Sequence, residues 1–125
     1  MNNNEIIFYI ILRQSLQLTE DQVRYCVAES MQQMLLKYFM WQIVSVKSNV
    51  SINKKQLDNA NKWLASKAKK KIVVADDDIW QDLKNRFSMG TELFVVKDLD
   101  IEQIETDGVL ILWPLEYDLV PSYLK

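Results

Sequence analysis

A chain of 125 residues, 49% hydrophobic and 26% charged, can bury one ordinary core; it is too short for two and too apolar for global disorder. Its 15 Lys and Arg against 17 Asp and Glu leave a formal charge of −2, so no whole-chain positive field draws in a polyanion. The absence of histidine and the presence of a single cysteine, Cys26, remove imidazole base chemistry, Cys/His zinc sites and internal disulfides together. No signal-peptide pattern is present, and the expected location is the cytoplasm.

The first element is an apolar run, Glu5 to Arg13, rich in Ile and Phe. It is far shorter than the ~20 residues of a membrane helix and has the pattern of a strand covered on both faces. Thr19-Glu20-Asp21-Gln22 then forms a capping box with acidic residues where the helix dipole favours them. Val23, Val27, Met31, Met34, Leu35 and Tyr38 recur at three- and four-residue steps, which predicts a helix reaching about Phe39 with one apolar stripe against a sheet. Residues 42 to 52 alternate only partly and fit a short strand or a helix-to-helix connection. From Asn53 to Lys70, the placing of Leu57, Ala60, Trp63, Leu64 and Ala68 predicts a second helix ending in the basic run Lys67, Lys69, Lys70 and Lys71.

Ile72, Val73 and Val74 follow as a short strand expected to be buried. Asp76, Asp77 and Asp78 announce a third helix with Ile79, Leu83 and Phe87 on one face, stopping near Gly90. Leu93 to Val96 is a third strand, Asp107-Gly108 a turn, and Val109 to Trp113 a fourth strand closed by Pro114. The last two strands are joined too closely for a crossover helix, so antiparallel pairing is expected between them. The fold class is therefore α/β: residues 1–125 as one domain, with a mixed four-stranded sheet and helices on both faces.

Few residues offer chemistry. Three consecutive carboxylates before a helix could meet a magnesium ion, but capping and the helix dipole already account for them, and no metal site is expected. The basic run could grip phosphates, although lysines at a helix end are equally expected to be solvated there. Cys26 has no base to activate it and reads as a core side chain. Trp41, Trp63, Trp80 and Trp113 read as core or groove-lining. Gly90 and Gly108 are the only glycines and neither begins a strand-to-helix turn, so phosphate loops of either nucleotide-binding type are unsupported. The most informative polar residue is Asp98, which follows the third strand in Phe94-Val95-Val96-Lys97-Asp98, where α/β folds commonly place site residues. Asp100 and Glu102 deepen the local negative charge.

These residues resemble the second type of peptidyl-tRNA hydrolase, the small α/β family distinct from the histidine-dependent bacterial type. The resemblance covers nearly the whole chain. It rests on Arg13, Leu16 and Val23 at the first turn, on Trp63 followed by Lys71-Ile72-Val73-Val74, on Asp98-Leu99-Asp100-Ile101-Glu102-Gln103-Ile104, and on Pro114 with the Leu119, Tyr123, Leu124, Lys125 tail. It implies that Asp98 matches the family's active-site aspartate. It also marks departures: Gln17 stands where the family has its active-site lysine, Glu20 and Gln22 where it has further lysines, and Glu102 in place of a threonine. A second family threonine has no counterpart in the shorter Glu105 to Gly108 loop.

What the resemblance implies is a family-like scaffold with an eroded site. The expected function is a non-catalytic module that binds a small ligand, a partner or a tRNA- or nucleotide-like molecule through Gln17, Thr19, Gln22, Lys97 and Glu102, with no cofactor. One alternative is an active hydrolase of peptidyl-tRNA or a related ester, with Asp98 as its catalytic residue. Another is an oligomeric protein, such as a homodimer, joined through Met, Trp and Tyr side chains of the first helix.

Overall fold

The computed structural model describes residues 5–48, 53–102 and 107–125. Strand β1, Ile6–Arg13, lies inside the sheet, parallel to β2 (Lys70–Ala75) on one side and antiparallel to β4 (Val109–Glu116) on the other; β3 (Leu93–Val95) completes the order β2-β1-β4-β3. Because β4 runs against both β1 and β3, the C-terminal ends of β1, β2 and β3 share one edge with the start of β4.

The reason for the unbroken apolar run is visible in β1. Ile6, Phe8, Ile10 and Leu12 face the helices α1 (Glu20–Ser48) and α2 (Lys54–Ala65), meeting Cys26, Met34, Ala60 and Trp63. Ile7, Tyr9 and Ile11 face α3 (Asp77–Arg86) and the C-terminal 3-10 turns, meeting Trp80, Leu83, Val120 and Leu124. Successive side chains of a strand point to opposite faces, so a strand with helices on both sides needs apolar residues at every position. The fold is a single small α/β domain with a mixed four-stranded sheet and helices on both faces, as the sequence predicts.

Several boundaries differ from expectation. Helix α1 runs through Ser48 rather than stopping near Phe39, because no Gly or Pro interrupts residues 40–48; residues 49–52 of the ambiguous segment lie outside the described residues. Helix α2 ends at Ala65, and Ala68 turns the chain in a left-handed conformation, so Lys67 to Lys71 is not a basic helix terminus. Lys69 instead pairs with Glu5 at 3.2 Å, and Lys71 Nζ donates to the carbonyls of Leu124 and Lys125 at 3.0 and 2.6 Å.

β2 is an edge strand, and its Ile72 and Val74 are exposed, which corrects the buried strand expected there. The lysines at its start are the charges that edge strands commonly carry against further pairing. β4 continues past Pro114 to Glu116 because its register with β1 shifts between Ile7 and Tyr9, opposite residues 112–115, where a missing N–H is tolerated. No helix among the described residues is long and apolar enough to cross a membrane.

Candidate functional site

The edge where three strands end carries Asp76, Lys97 and Asp98, with Gln17, Thr19 and Gln22 following the end of β1. Thr19 and Gln22 form the capping box in full: Gln22 N–H donates to Thr19 Oγ1 at 3.2 Å, and Thr19 N–H donates to Gln22 Oε1 at 2.9 Å. Both side chains thereby satisfy orphan amides at the start of α1. Asp76 caps α3 likewise, accepting from Ile79 N–H at 2.9 Å, so the Asp76-Asp77-Asp78 run is capping and dipole chemistry.

Gln17 and Asp98 are both exposed and both left-handed, with φ of 50° and 59°. No side-chain hydrogen bond or ion pair joins Gln17, Lys97, Asp98 and Glu102 to one another among the described residues. The loop that holds Lys97 and Asp98 is fixed through its backbone. Gln33 of α1 accepts from Lys97 N–H at 2.9 Å and donates to Lys97 C=O at 2.7 Å, while Tyr25 Oη accepts from Asp100 N–H at 3.0 Å. Lys97 also stands near Lys37, whose ammonium lies 4.8 Å from the Phe94 ring centroid. Burial first, and then repulsion by Lys97, hold Lys37 below the ordinary lysine range.

Between the first turn of α1 and this loop lies a cleft of about 320 Å³ lined by Asp21, Gln22, Tyr25, Asp100 and Ile101. Its lining contains two carboxylates and no cation, and neither Gln17 nor Asp98 reaches it. No cluster of three metal-ligating side chains occurs among the described residues. Cys26 is fully buried, and burial raises its thiol pKa, the opposite of what a nucleophile needs.

On the α3 side, Arg13 at the end of β1 pairs with Asp77 at 3.2 Å and Asp107 at 3.7 Å, and Lys84 pairs with Asp107 as well. Lys84 above all, helped by Arg13, holds the Asp107 carboxyl below the usual range. Sequence reasoning missed these holders. Gln33, a polar residue next to Met34 on the sheet-facing side of an otherwise apolar helix stretch, was the available signal for the loop clamp.

At the opposite end of the sheet is a cavity of about 340 Å³ lined by residues of α2, β4 and the end of α3, including Lys55, Asn59, Arg86 and Pro114. Trp113, read from the sequence as core or groove-lining, is one of its walls, but none of its polar residues was singled out from the sequence. Asn59 could have been: it sits on the α2 face that carries Ala60 and Trp63 and is 7% exposed. No family model, curated protein or solved structure matches this chain.

Proposed function

We propose that this chain is a non-catalytic binding module on a scaffold resembling the second type of peptidyl-tRNA hydrolase. The observation that supports it is the lining of the strand-end cleft: Asp100, and Asp21 whose charge is met by Arg24 at 3.1 Å outside the lining, with no cation among the lining residues themselves. Ester cleavage develops negative charge on the carbonyl oxygen, which fixed donors or cations must stabilise, commonly by a factor on the order of 10²–10³ each. A cleft whose lining has carboxylates and no cation offers no such stabilisation and no attraction for a polyanionic tRNA. Thr19 and Gln22 are spent on helix capping, and Gln17 brings no charge. The test compares release of labelled peptide from peptidyl-tRNA by the natural protein and by Gln17→Lys and Asp98→Ala. No turnover by the natural protein is expected, whereas turnover that Asp98→Ala abolishes would install the hydrolase reading.

A second reading, self-association, is favoured by the solvent face of α1. That face is polar or small at Asp21, Arg24, Ala28 and Gln32 and then turns apolar at Leu36, Phe39, Met40, Ile43 and Val46, each more than half-exposed. An antiparallel pair of α1 helices sets Leu36 against Ile43 and Phe39 against Met40, so the strip complements a second copy of itself. Light scattering at low micromolar concentration should report a dimer that Met40→Glu converts to monomer. A monomeric natural protein removes this reading and leaves the first untouched.

A further inference from the structure

One side of the sheet ends at β2, and its backbone there faces outward at known positions. Phe8 N–H donates to Lys69 C=O at 3.1 Å, and the parallel register sets Phe8 beside Lys70. Backbone groups alternate in direction along a strand, so Lys71, Val73 and Ala75 turn theirs to β1, while Lys70, Ile72 and Val74 turn theirs outward. No backbone hydrogen bond reaches those three from the outer side among the described residues. Such a row is a template for another strand. Ile72 and Val74 sit beside Ile10 and Leu12, on the face of α1 and α2, yet they are 43% and 59% exposed.

The segment around this edge reads Lys69-Lys70-Lys71-Ile72-Val73-Val74-Ala75-Asp76-Asp77-Asp78, cations at one end and carboxylates at the other. A parallel second copy would set lysine beside lysine and aspartate beside aspartate. An antiparallel copy sets each basic end against an acidic one. Two copies related by a two-fold axis through a continuous sheet must place residues of the same face opposite each other, which limits the register to those centred on a residue. Centred on Val73, Ile72 meets Val74 of the second copy and Lys70 meets Asp76 of the second copy. Centred on Val74, Ile72 would meet an aspartate; centred on Ile72, Lys70 would meet a valine. The Val73 register also pairs the positions whose backbone groups turn outward, and the chain stays extended through Asp76, with φ of −73° and ψ of 176°.

Lys69 is held by Glu5, Asp77 by Arg13, and Lys71 by the carbonyls of Leu124 and Lys125. Lys70 is exposed and takes part in no ion pair among the described residues. Asp76 accepts from the Ile79 amide, a bond that leaves its negative charge in place. Lys70 and Asp76 are therefore the charges able to cross. Lysines on an edge deter other strands, and only a partner that brings carboxylates opposite them removes that cost.

We propose that β2 pairs antiparallel with β2 of a second copy of this chain, in the register that sets Val73 opposite itself, so that one sheet runs through both copies. This goes beyond the binding-module reading, and it uses a different surface from the apolar strip of α1.

Light scattering at high micromolar concentration should report a dimer that Lys70→Glu weakens about tenfold or more, since carboxylates then face each other at both ends of the pair. Asp76→Lys should weaken it likewise, and mixing the two variants should restore it, because every crossing pair is then of opposite sign. Ile72→Pro removes an outward N–H and leaves the β1 ladder whole, so that variant should melt cooperatively as a monomer. Cysteine crosslinking needs none of these variants to fold. Val73 would face its own copy as a non-hydrogen-bonded pair with Cα atoms about 4.5 Å apart, inside the ~4.4–6.8 Å that a disulfide spans. Under mild oxidation Val73→Cys should crosslink at least about tenfold faster than Val74→Cys, although Val74 is the more exposed residue. A monomer at high micromolar concentration, a dimer that survives Ile72→Pro and is lost in Met40→Glu, no recovery on mixing two folded variants, or crosslinking of Val74→Cys as fast as Val73→Cys would each overturn the proposal.

Discussion

The two ends of the sheet are built from the same strands and differ in what lines them. At the end where β1, β2 and β3 finish, polar groups are largely matched: Thr19 with Gln22, Gln33 with the Lys97 backbone, Arg13 and Lys84 with Asp77 and Asp107. At the other end, both signs of charge, Lys55 and Arg86 against Glu92, line a cavity walled by Phe87, Trp113 and Pro114. Fold precedent directs attention to strand C-termini.

The most severe way to break the comparison is to remove the strand both ends share. Ile10 is fully buried in the middle of β1, and Ile10→Asp places a charge there at a cost of several kcal/mol against a total stability of ~5–15 kcal/mol. No cooperative thermal melt is expected; a melt near the natural temperature would mean that the core tolerates the charge. Next in size is the strand-end cap. Asp76→Ala should lower stability by about 1 kcal/mol in denaturant titration, and no change would show that the Ile79 amide finds another acceptor.

The cavity end can be read by pH. Burial first, and then the hydrogen bond donated to Asp82, push the Tyr123 phenol up from 10.0 to about 12. Between those values the folded chain keeps a proton that the unfolded chain has lost. The contribution is therefore full below pH ~10 and disappears as pH rises through the folded value. Thermal melts across that window should fall less steeply for Tyr123→Phe than for the natural protein, and parallel curves would count against the Asp82 contact. The smallest effect belongs to Asp98→Gly. Relief of a left-handed φ of 59° is offset by the freer unfolded chain, so stability should stay within about 0.5 kcal/mol. A loss well beyond that would reveal contacts by the Asp98 side chain and restore it as a structured site residue.

Elements were more legible in the sequence than their surroundings. The double-sided burial of β1, the capping box at Thr19 and the Asp76 cap follow from local pattern and were readable. β2 was misread because Ile72, Val73 and Val74 look the same in a central strand and in an edge strand; only the sheet order, set by residues far away, decides between them. The run Lys67 to Lys71 was placed on a helix end because nothing local announces the left-handed turn at Ala68. Gln103, Ile104 and Glu105, part of the segment that carries the family resemblance, lie outside the described residues. The Gln33 clamp joins residues 64 apart, and the cavity depends on the mismatch between β3 and β4, so neither is encoded in any one stretch.

The pairing of β1 with β4 also sets a timetable. Ile10 lies opposite Ile111, about a hundred residues later in the chain. At synthesis rates of about 5–20 residues per second, the segment Ile6–Leu12 is made roughly 5–20 s before the strand that will cover its flank. During that interval it is an uncharged, β-prone heptapeptide of the kind that aggregates when left open. The nascent chain is therefore expected to depend on chaperones that cover apolar segments at the ribosome exit. A circular permutant that begins at β4 and makes the two strands back to back should be released from that dependence.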